Sequence, residues 1–397
     1  MDSIVVGASA ESIHAIRVAH DLGLQVEAFD GDSNAAGLTV ADHAQVVDIT
    51  RPETVIRSLS EPPGVILPVP IGRYLTSTGA LNDYYGLPGV TEQAAINCTD
   101  KYLFSQIMTQ SGLRSSPSIL VPAGAASFVS PISFPVVLKP RYGSGSRAVS
   151  ICETAGDLDQ ALRVLLPSAE DFLLEEYVEG AEYGLDAAVI DGEFQMILLR
   201  EKINTPPPFR QAVGYYSVVQ GEQVELQRAA QEMMSRAVAA LGLANCLLHA
   251  DLLWDGRGLF VIEVSARPSG HHLHDLFTPA CTGIDPVKEF VKFAMPSLRQ
   301  PFLFTPGHVR HMLIRFFDFA NCTVVGAPAP ARLQSEFHLF AYEEHCLGLH
   351  MDPVSNGPEL MKRGFFVLEG TSRSELEEGS ARLLSLFSLK GDKNEPV

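Results

Sequence analysis

Hydrophobic residues in the first ninety positions form short runs separated by stretches with helical spacing. Ile4–Val6 is the first run, and apolar residues then recur at the spacing of one helix face between Ile13 and Gly23. Apolar runs return in QVEAFD, AQVVDI and GVILPV, with a helical stretch near Glu53–Leu59. This alternation of strand and helix predicts βαβ units and a parallel sheet.

The turn after the first strand reads GASAES, from Gly7 to Ser12. A dinucleotide-binding fingerprint has three glycines here, and an acid such as Asp30 at the end of the second strand would bind the ribose. The second and third glycines let the backbone approach a pyrophosphate, and both are missing. The turn therefore favours a Rossmann-like unit with a structural role over an NAD site.

The pattern changes further along the chain. A connector and then a helix carrying Lys101 follow residue 91, and strands joined by short turns begin at Phe134. Residues 222–241 have helical spacing that stops at Gly242, a suitable residue for a helix end. LLHADLLWDGRGLFVIEV reads as a hairpin that turns at residues 255–258. Together these patterns predict an α/β unit, an α+β core and, after the proline-bearing stretch AMPSLRQPFLFTPGH, a smaller C-terminal unit.

The composition narrows the class of protein. With 397 residues, 46% of them hydrophobic, the chain is long enough for two or three packed units. A net charge of −18 without a compensating basic run argues against a nucleic-acid or membrane-surface partner. No run approaches a membrane span and no leader is recognised, so a cytoplasmic protein is expected. The six cysteines lack metal-ligand spacing and are expected to be buried thiols: Cys98, Cys152, Cys246, Cys281, Cys322 and Cys346.

A lysine stands between a buried strand and a loop of small residues in VVLKPRYGSGSRAVSI. Lys139 ends the strand, and Gly143, Ser144, Gly145 and Ser146 form the loop. Small residues leave backbone N–H groups free to surround an anion, and the ammonium group adds a fixed charge. The stretch is a candidate phosphate site, although an ordinary hairpin with an exposed lysine has the same pattern.

An acidic stretch, LLEEYVEGAEYG, lies among apolar residues. It contains four carboxylates, those of Glu175, Glu176, Glu179 and Glu182. The solvated face of an edge strand gives this pattern. A functional interpretation uses the backbone from Glu175 to Val178, including Tyr177, to read the edge of adenine, and a carboxylate to accept ribose hydroxyls. The residues alone leave both interpretations open.

The predicted hairpin carries acids where a core is expected. Alternate residues of a strand share a face, so His249 and Asp251 point the same way, as do Glu263, Ser265 and Arg267 on the next strand. Two carboxylates brought side by side repel unless a cation lies between them. Hard divalent ions, Mg²⁺ above all, suit such oxygen ligands. A buried acid–arginine ion pair is the alternative, and it explains one acid but not both.

Taken in this order, the three blocks resemble the ATP-grasp superfamily as far as about residue 300. The resemblance implies a Rossmann-like N-terminal domain (1–90), an ATP-grasp core (91–300) and a small α+β C-terminal domain (301–397). Within the core it implies a phosphate-flap subdomain (about 117–178) and a metal and catalytic subdomain (about 179–300). HADLLW and IEVSARPSG are most similar to the L-amino-acid ligases, the dipeptide-forming branch. Such enzymes phosphorylate a carboxylate and let a nucleophile attack the acyl phosphate.

The resemblance also implies where ATP binds. Lys101 in TDKYLF and Lys139 in VLKP match two lysines that contact the α- and β-phosphates, and the loop 143–147 matches a mobile flap. EEYVEGAE is similar to the hinge of D-alanine–D-alanine ligases. On that likeness the hinge backbone meets adenine, and the carboxylate of Glu182 takes the ribose.

Metal ligands follow from the same resemblance. Asp251 and Glu263 match the paired ligands of magnesium, for which Mn²⁺ is an alternative ion. Ser265 stands where many members have an asparagine as a third ligand. A serine hydroxyl coordinates a metal more weakly, so the affinity for a second metal ion stays open.

Further residues are expected on the substrate side. On the resemblance, Arg267 stabilises the acyl phosphate and Lys202 reaches the γ-phosphate. His249 either assists the reaction or anchors substrate. Arg210 follows three prolines in INTPPPFRQ and either binds a substrate carboxylate or lies on a surface loop. Just beyond Arg267, a substrate contact is expected from Ser269, Gly270 and His271.

The sequence therefore predicts an ADP-forming ligase that joins a small carboxylate, an amino acid or a related acid, to an amine. A bicarbonate-using carboxylase shares the same ATP apparatus and is the first alternative. A non-catalytic ATP-binding regulator is the second. The expected partners are small molecules, and a homodimer is considered because relatives often dimerise.

Overall fold

The computed structural model describes residues 2–143, 145, 147–165, 170–206 and 210–391. The strands in chain order are β1 (Ser3–Val6), β2 (Val26–Asp30), β3 (His43–Val46), β4 (Val65–Ile66), β5 (Ile119–Val121), β6 (Val136–Pro140), β7 (Ser150–Cys152), β8 (Phe172–Glu176), β9 (Ala181–Ile190), β10 (Glu193–Asn204), β11 (Ala212–Ser217), β12 (Cys246–Trp254), β13 (Leu259–Ser265), β14 (Met312–Phe316), β15 (Cys322–Gly326), β16 (Leu339–Glu344), β17 (His350–Met351), β18 (Gly364–Glu369) and β19 (Ser388–Gly391). The helices are α1 (Ile13–Asp21), α2 (Pro52–Ser58), α3 (Leu75–Tyr85), α4 (Glu92–Thr99), α5 (Lys101–Gln110), α6 (Ala155–Leu165), α7 (Val224–Leu241), α8 (Thr278–Thr282), α9 (Pro286–Ala294), α10 (Pro330–Glu336), α11 (Gly357–Leu360) and α12 (Arg373–Ser385).

The N-terminal unit contains the predicted parallel sheet. Its strand order is β3-β2-β1-β4, and every pairing is parallel. Strand β1 is buried along its whole length, which explains its uninterrupted apolar run. The carboxylate of Asp30 accepts hydrogen bonds from the backbone N–H groups of Ala8, at 2.7 Å, and Asp32, at 2.9 Å. This acid therefore ties down the turn after β1.

A small antiparallel sheet, ordered β5-β8-β6-β7, follows in the chain. Helix α6 buries Leu158 and Leu162 in one apolar cluster with Leu138 and Leu174 of the sheet. Lys139 lies near the end of β6, beside that core. The sheet therefore gives the predicted phosphate lysine a rigid support.

The largest sheet has eight strands in the order β13-β12-β9-β10-β11-β14-β18-β16, all paired antiparallel. Strands β14, β18 and β16 belong to residues 301–391, so this part of the chain extends the sheet of the core. A separate sheet ordered β17-β15-β19 completes the C-terminal region. Helix α7 packs on β10 and ends at Gly242, whose φ is 72°, as the sequence predicts.

The hairpin of β12 and β13 has the predicted turn, and a register shift between Asp251 and Leu252 sets the pairing beyond that point. Asp251 lies directly opposite Glu263, and His249 lies opposite Ser265. At the turn, Asp255 accepts hydrogen bonds from two backbone N–H groups at 2.9 and 3.0 Å, and Arg114 donates to both of its oxygens at 3.1 and 2.6 Å. The two predicted metal acids are therefore held side by side on a rigid ribbon.

Two expectations from composition can also be compared with the structure. All six cysteines are buried, as predicted. Within the described ranges, no helix combines the length and the apolar character needed to cross a bilayer.

Candidate active site

One cavity of about 490 Å³ lies where the N-terminal unit, the small sheet and the large sheet meet. It is lined by most of the predicted site residues: Lys101, Lys139, Gly143, Gly145, Glu175, Glu176, Tyr177, Val178, Glu182, Lys202, Arg210, His249, Asp251, Glu263, Arg267, Gly270 and His271. Ser265 lines a small neighbouring cavity, and Ser269 is fully buried. Ser144, Ser146, Pro207 and Pro208 lie outside the described residues.

The two predicted phosphate lysines both line this cavity. The ammonium of Lys139 is 2.6 Å from a carboxylate oxygen of Glu175. Lys101 donates to the carbonyl of Gly143 and lies 3.6 Å from an oxygen of Glu263. Each lysine thus has a nearby carboxylate with which a phosphate would compete.

A helix start fixes the position of Lys101. The side chain of Asp100 accepts hydrogen bonds from the backbone N–H groups of Tyr102 and Leu103 at the first turn of α5. The guanidinium of Arg141 donates to both oxygens of the same carboxylate, at 2.9 and 2.6 Å. Arg141 closely follows Lys139, so this contact connects the small sheet to α5. The same ion pair therefore helps to position both lysines.

Lys202 is buried against the metal acids. It lies on β10 opposite Tyr215, and its ammonium is 2.7 Å from Oδ1 of Asp251. Burial disfavours the ionised carboxyl of Asp251, but the charge of Lys202 and the contacts with His249 together outweigh burial and hold the pKa of this carboxyl below the ordinary value. Burial likewise disfavours the ammonium of Lys202, while Asp251 and then Glu182 raise its pKa above the ordinary value. Both groups are therefore charged at neutral pH.

The acids of the hairpin fit a hard divalent cation. Asp251 and Glu263 are opposite one another, and the hydroxyl of Ser265 lies 3.4 Å from Oε1 of Glu263. In the described part of the chain, no group of three His, Cys, Asp or Glu side chains is arranged to hold an ion. Mg²⁺ is commonly held by one or two carboxylates, with water and phosphate oxygens completing its shell. The donors present match that mode of binding.

The acidic stretch reaches the same cavity. Glu175 is buried, its Oε2 meets Lys139, and its Oε1 accepts a hydrogen bond from the hydroxyl of Ser118. The backbone N–H of Tyr177 donates to the carbonyl of Pro135 at 3.2 Å. A buried carboxylate that is paired with a lysine is not the solvated charge of an open edge strand. The solvated interpretation therefore does not describe Glu175.

Arg267 offers a charge to the cavity. Its NH1 donates to the carbonyl of Pro268 at 2.8 Å. Among the described residues, none of its contacts within ion-pair distance is a carboxylate, in contrast to Lys101, Lys139 and Lys202. An anionic group entering the cavity can therefore pair with Arg267 without displacing a protein carboxylate.

Sequence reasoning missed residues that the fold brings in from distant positions. Glu11, in the first turn of the N-terminal unit, lines the cavity and accepts a hydrogen bond from the backbone N–H of His271 at 2.7 Å. Because Glu11 and His271 are 260 positions apart in the sequence, no local sequence pattern predicts this contact. Asp186 and Arg200 form a buried pair beneath His249. The available signal was a charged residue inside each of two apolar runs, Asp186 in GLDAAVI and Arg200 in ILLREK.

Residues 132–274 match the family model for the ATP-grasp domain. These residues form an ATP-grasp domain. The L-amino acid ligase of Bacillus licheniformis has a similar structure, with a TM-score of 0.79, 19% identity and coverage of 99% of both chains. A biotin carboxylase complex from Campylobacter jejuni has a TM-score of 0.66 at 16% identity, over 98% of this chain and 92% of that one. The predicted ATP-grasp fold is therefore confirmed.

Curated relatives of this chain include the D-alanine–D-alanine ligase of Gloeobacter violaceus, 25% identical over 62% of this chain and 85% of that protein. The uncharacterized protein y4rH of Sinorhizobium fredii is 28% identical over 56% of this chain. That match spans only about half, 47%, of y4rH. The name of the Gloeobacter violaceus protein agrees with the predicted superfamily of ligases.

Proposed function

We propose that the protein is an ATP-dependent carboxylate–amine ligase that activates an amino acid or a related small acid as an acyl phosphate. The observation that carries the proposal is the meeting of four elements in one cavity: lysines for phosphates, the Asp251–Glu263 pair, the hinge and Arg267. A site that binds only ATP does not need a further cationic side chain, such as Arg267, in addition to the lysines for the phosphates. The combination suits a reaction in which a second anion meets the γ-phosphate.

In the first step a carboxylate oxygen of the acid attacks the γ-phosphorus, and the bond to the β-phosphate oxygen breaks to release ADP. Lys139 and Lys202 neutralise charge on the phosphates, because both hold ammonium groups inside the cavity. Asp251 and Glu263, with Ser265 beside them, would hold Mg²⁺, which supplies charge neutralisation at the phosphates when bound. Arg267 pairs with the incoming carboxylate and then with the acyl phosphate.

In the second step the lone pair of an amine attacks the acyl carbon. The bond from this carbon to the phosphate oxygen breaks, phosphate leaves, and the nitrogen loses a proton to give the amide. Glu11 favours an amino acid as the activated acid, because its carboxylate lines the same cavity as Arg267 and suits an ammonium group. A substrate with both charges would be oriented by these two side chains.

The comparisons support this choice within the superfamily. The similarity to an L-amino acid ligase extends over 99% of both chains, including the C-terminal region outside the matched ATP-grasp domain. A relative named D-alanine–D-alanine ligase is covered over 85% of its length. Both names describe the joining of amino acids. The similar biotin carboxylase keeps the bicarbonate reaction as the alternative to be tested.

A substrate screen tests the proposal. The purified protein with ATP and Mg²⁺ is given single amino acids, pairs of amino acids and small acids, and release of ADP and phosphate is measured. Hydroxylamine is added in a parallel series, because it converts an acyl phosphate into a hydroxamate. We expect ADP release that depends on an acid, and a hydroxamate of that acid.

Two outcomes would contradict the proposal. ATP hydrolysis that depends on bicarbonate, without a hydroxamate from any acid, would assign the protein to the carboxylating enzymes. Nucleotide binding without ADP formation across the whole screen would point to a regulator that kept the fold.

A further inference from the structure

Two opposite charges are buried together beneath the cavity. Arg200 on β10 is fully buried and Asp186 on β9 is 4% exposed. The guanidinium donates to both carboxylate oxygens, at 2.7 and 2.8 Å, and the hydroxyl of the buried Thr278 donates to Oδ2 at 2.6 Å. Burying such a pair usually gains little stability, because desolvation offsets the attraction. Its presence therefore calls for a role other than stability.

The Asp186–Arg200 pair lies against His249 of the hairpin formed by β12 and β13. Asp186 is opposite His249 in the register of β9 and β12. Nδ1 of His249 is 3.4 Å from Oδ1 of Asp186 and 3.5 Å from NH2 of Arg200. On its other side, Nε2 of His249 is 3.3 Å from Oδ1 of Asp251. The imidazole thus bridges the buried pair and a predicted metal ligand.

Gly184 lies next to this arrangement. Gly184 of β9 lies opposite Asp251 of β12 on one side and opposite Arg200 of β10 on the other. A Cβ atom at this position would come within 3.4 Å of NH2 of Arg200 and 3.7 Å of the His249 ring. These are ordinary van der Waals distances, so the guanidinium and the imidazole both lie close to the backbone of Gly184.

We propose that Asp186 and Arg200 are positioning residues, which hold His249 against Asp251 so that this carboxylate stays aimed at the metal–nucleotide site. His249 contacts the carboxylate of Asp251, and Lys202 contacts the same carboxylate. Without the histidine, Asp251 is free to turn wholly onto the ammonium of Lys202. The role of Asp251 rests on the proposed function, whereas the contacts of Asp186 and Arg200 do not.

The charge of Asp186 supports this arrangement. Burial disfavours its ionised form, but the guanidinium of Arg200, His249 and the hydroxyl of Thr278 together outweigh burial and hold the pKa of the carboxyl below its usual range. An ionised carboxylate beside one nitrogen of an imidazole fixes the orientation of the ring. The other nitrogen is then directed to Asp251.

Replacement of both charges by apolar side chains separates positioning from stability. Asp186→Leu combined with Arg200→Met removes the pair with little change in volume, and such replacements are often neutral for folding. The readout is the Mg²⁺ concentration for half-maximal binding of a non-hydrolysable ATP analogue, measured by calorimetry. We expect a thermal midpoint close to that of the wild type and a half-saturating Mg²⁺ concentration about tenfold higher, as for lost residues that orient metal ligands.

A thermodynamic cycle with His249→Leu tests the route of the effect. If the pair acts only through the histidine, the combined triple variant shows the same Mg²⁺ requirement as His249→Leu alone. An unchanged Mg²⁺ requirement in the double variant, or effects that add, would overturn the proposal. The matched control is Arg315→Met with Asp318→Leu, a partly buried pair elsewhere that we expect to leave Mg²⁺ binding unchanged.

A milder variant decides the matter if the double variant does not fold. Thr278→Val keeps the volume and removes one hydrogen bond to Asp186. We expect a smaller rise in the Mg²⁺ requirement, and wild-type binding by this folded variant would then refute the proposal. Because the assay measures binding, a protein that binds Mg²⁺ and nucleotide but ligates nothing would refute the proposed function alone.

Discussion

Arg210 is bound to Glu182. Its Nε and NH2 groups donate to Oε1 of that carboxylate at 3.2 and 2.8 Å, and its NH1 group donates to the hydroxyl of Tyr177 at 3.1 Å. The sequence suggested a substrate carboxylate as the partner of Arg210, and Glu182 as the acceptor of the ribose. Since the two side chains meet, the guanidinium is placed to orient Glu182 for the nucleotide.

Substitution of Arg210 therefore distinguishes a role in orienting Glu182 from a role in binding the acid substrate. If Arg210 orients Glu182, Arg210→Ala should weaken ATP binding about tenfold, the cost of one charge-assisted hydrogen bond, and should leave the KM of the acid substrate nearly unchanged. Discrimination between ATP and 2′-deoxy-ATP should also decrease. Calorimetry with both nucleotides, and kinetics with the acid varied, measure these effects.

The control for Arg210 is Arg332→Ala, which breaks an exposed pair with Glu336 at 2.7 Å far along the chain. We expect no change in either substrate, because exposed pairs contribute little. A rise in the KM of the acid with ATP binding intact would restore the substrate-binding role that the sequence suggested for Arg210.

The acids of the hairpin give the second prediction. Glu263→Gln keeps the size of the side chain and removes its charge, so ADP release should fall by at least about 100-fold, since a metal ligand matters no less than the residues that orient it. The fold should persist, because Glu263 is partly exposed and its charged neighbour Lys101 is 3.6 Å away. ADP release and circular dichroism are measured together, with the exposed Glu193→Gln as the matched control. Full turnover in Glu263→Gln would remove the metal assignment.

Why the sequence predicted the hairpin and not the contacts of Arg210 has a physical reason. Alternation within β12 and β13 and the short turn at residues 255–258 predict the hairpin itself. A regular ladder continued from Leu252 and Val261 would set Asp251 opposite Ile262, so the pairing of Asp251 with Glu263 depends on the register shift between Asp251 and Leu252, which no alternation predicts. Arg210 has a φ of 43° in a loop, and no periodicity predicts where such a side chain points. The contact of Glu11 with the backbone of His271 depends on how two units pack, which also lies beyond local pattern.

A histidine at the joint between the N-terminal unit and the core gives a prediction for pH. Nε2 of His14 on α1 is 3.0 Å from a carboxylate oxygen of Asp285, which caps α9. Burial lowers the pKa of His14, but the contact with Asp285 outweighs it, so the pKa lies above the ordinary 6.5. Stability from a raised pKa is complete below the unfolded value and is lost as pH rises through the folded value.

The difference in unfolding free energy between the wild type and His14→Gln should therefore shrink as the pH rises from about 6 to about 9. Urea unfolding at several pH values measures it. Asp285→Asn should flatten the profile in the same way, while its amide still accepts the hydrogen bond from the N–H of Lys288. Parallel profiles for the wild type and both variants would show that this pair does not link folding to pH.

Two helical glycines give a matched test of packing. A Cβ atom on Gly79 of α3 would lie 2.7 Å from backbone atoms of Thr91 and Glu92 at the start of α4, whereas one on Gly156 of α6 would meet nothing closer than 3.6 Å. Backbone cannot rotate away as a side chain can, so Gly79→Ala must separate the two helices and should cost about 1–3 kcal/mol. Gly156→Ala should be neutral or stabilising by up to about 1 kcal/mol, because alanine favours the helix. Urea midpoints of the two variants test this contrast, and a Gly79→Ala protein as stable as the wild type would mean that α3 and α4 do not pack at this distance.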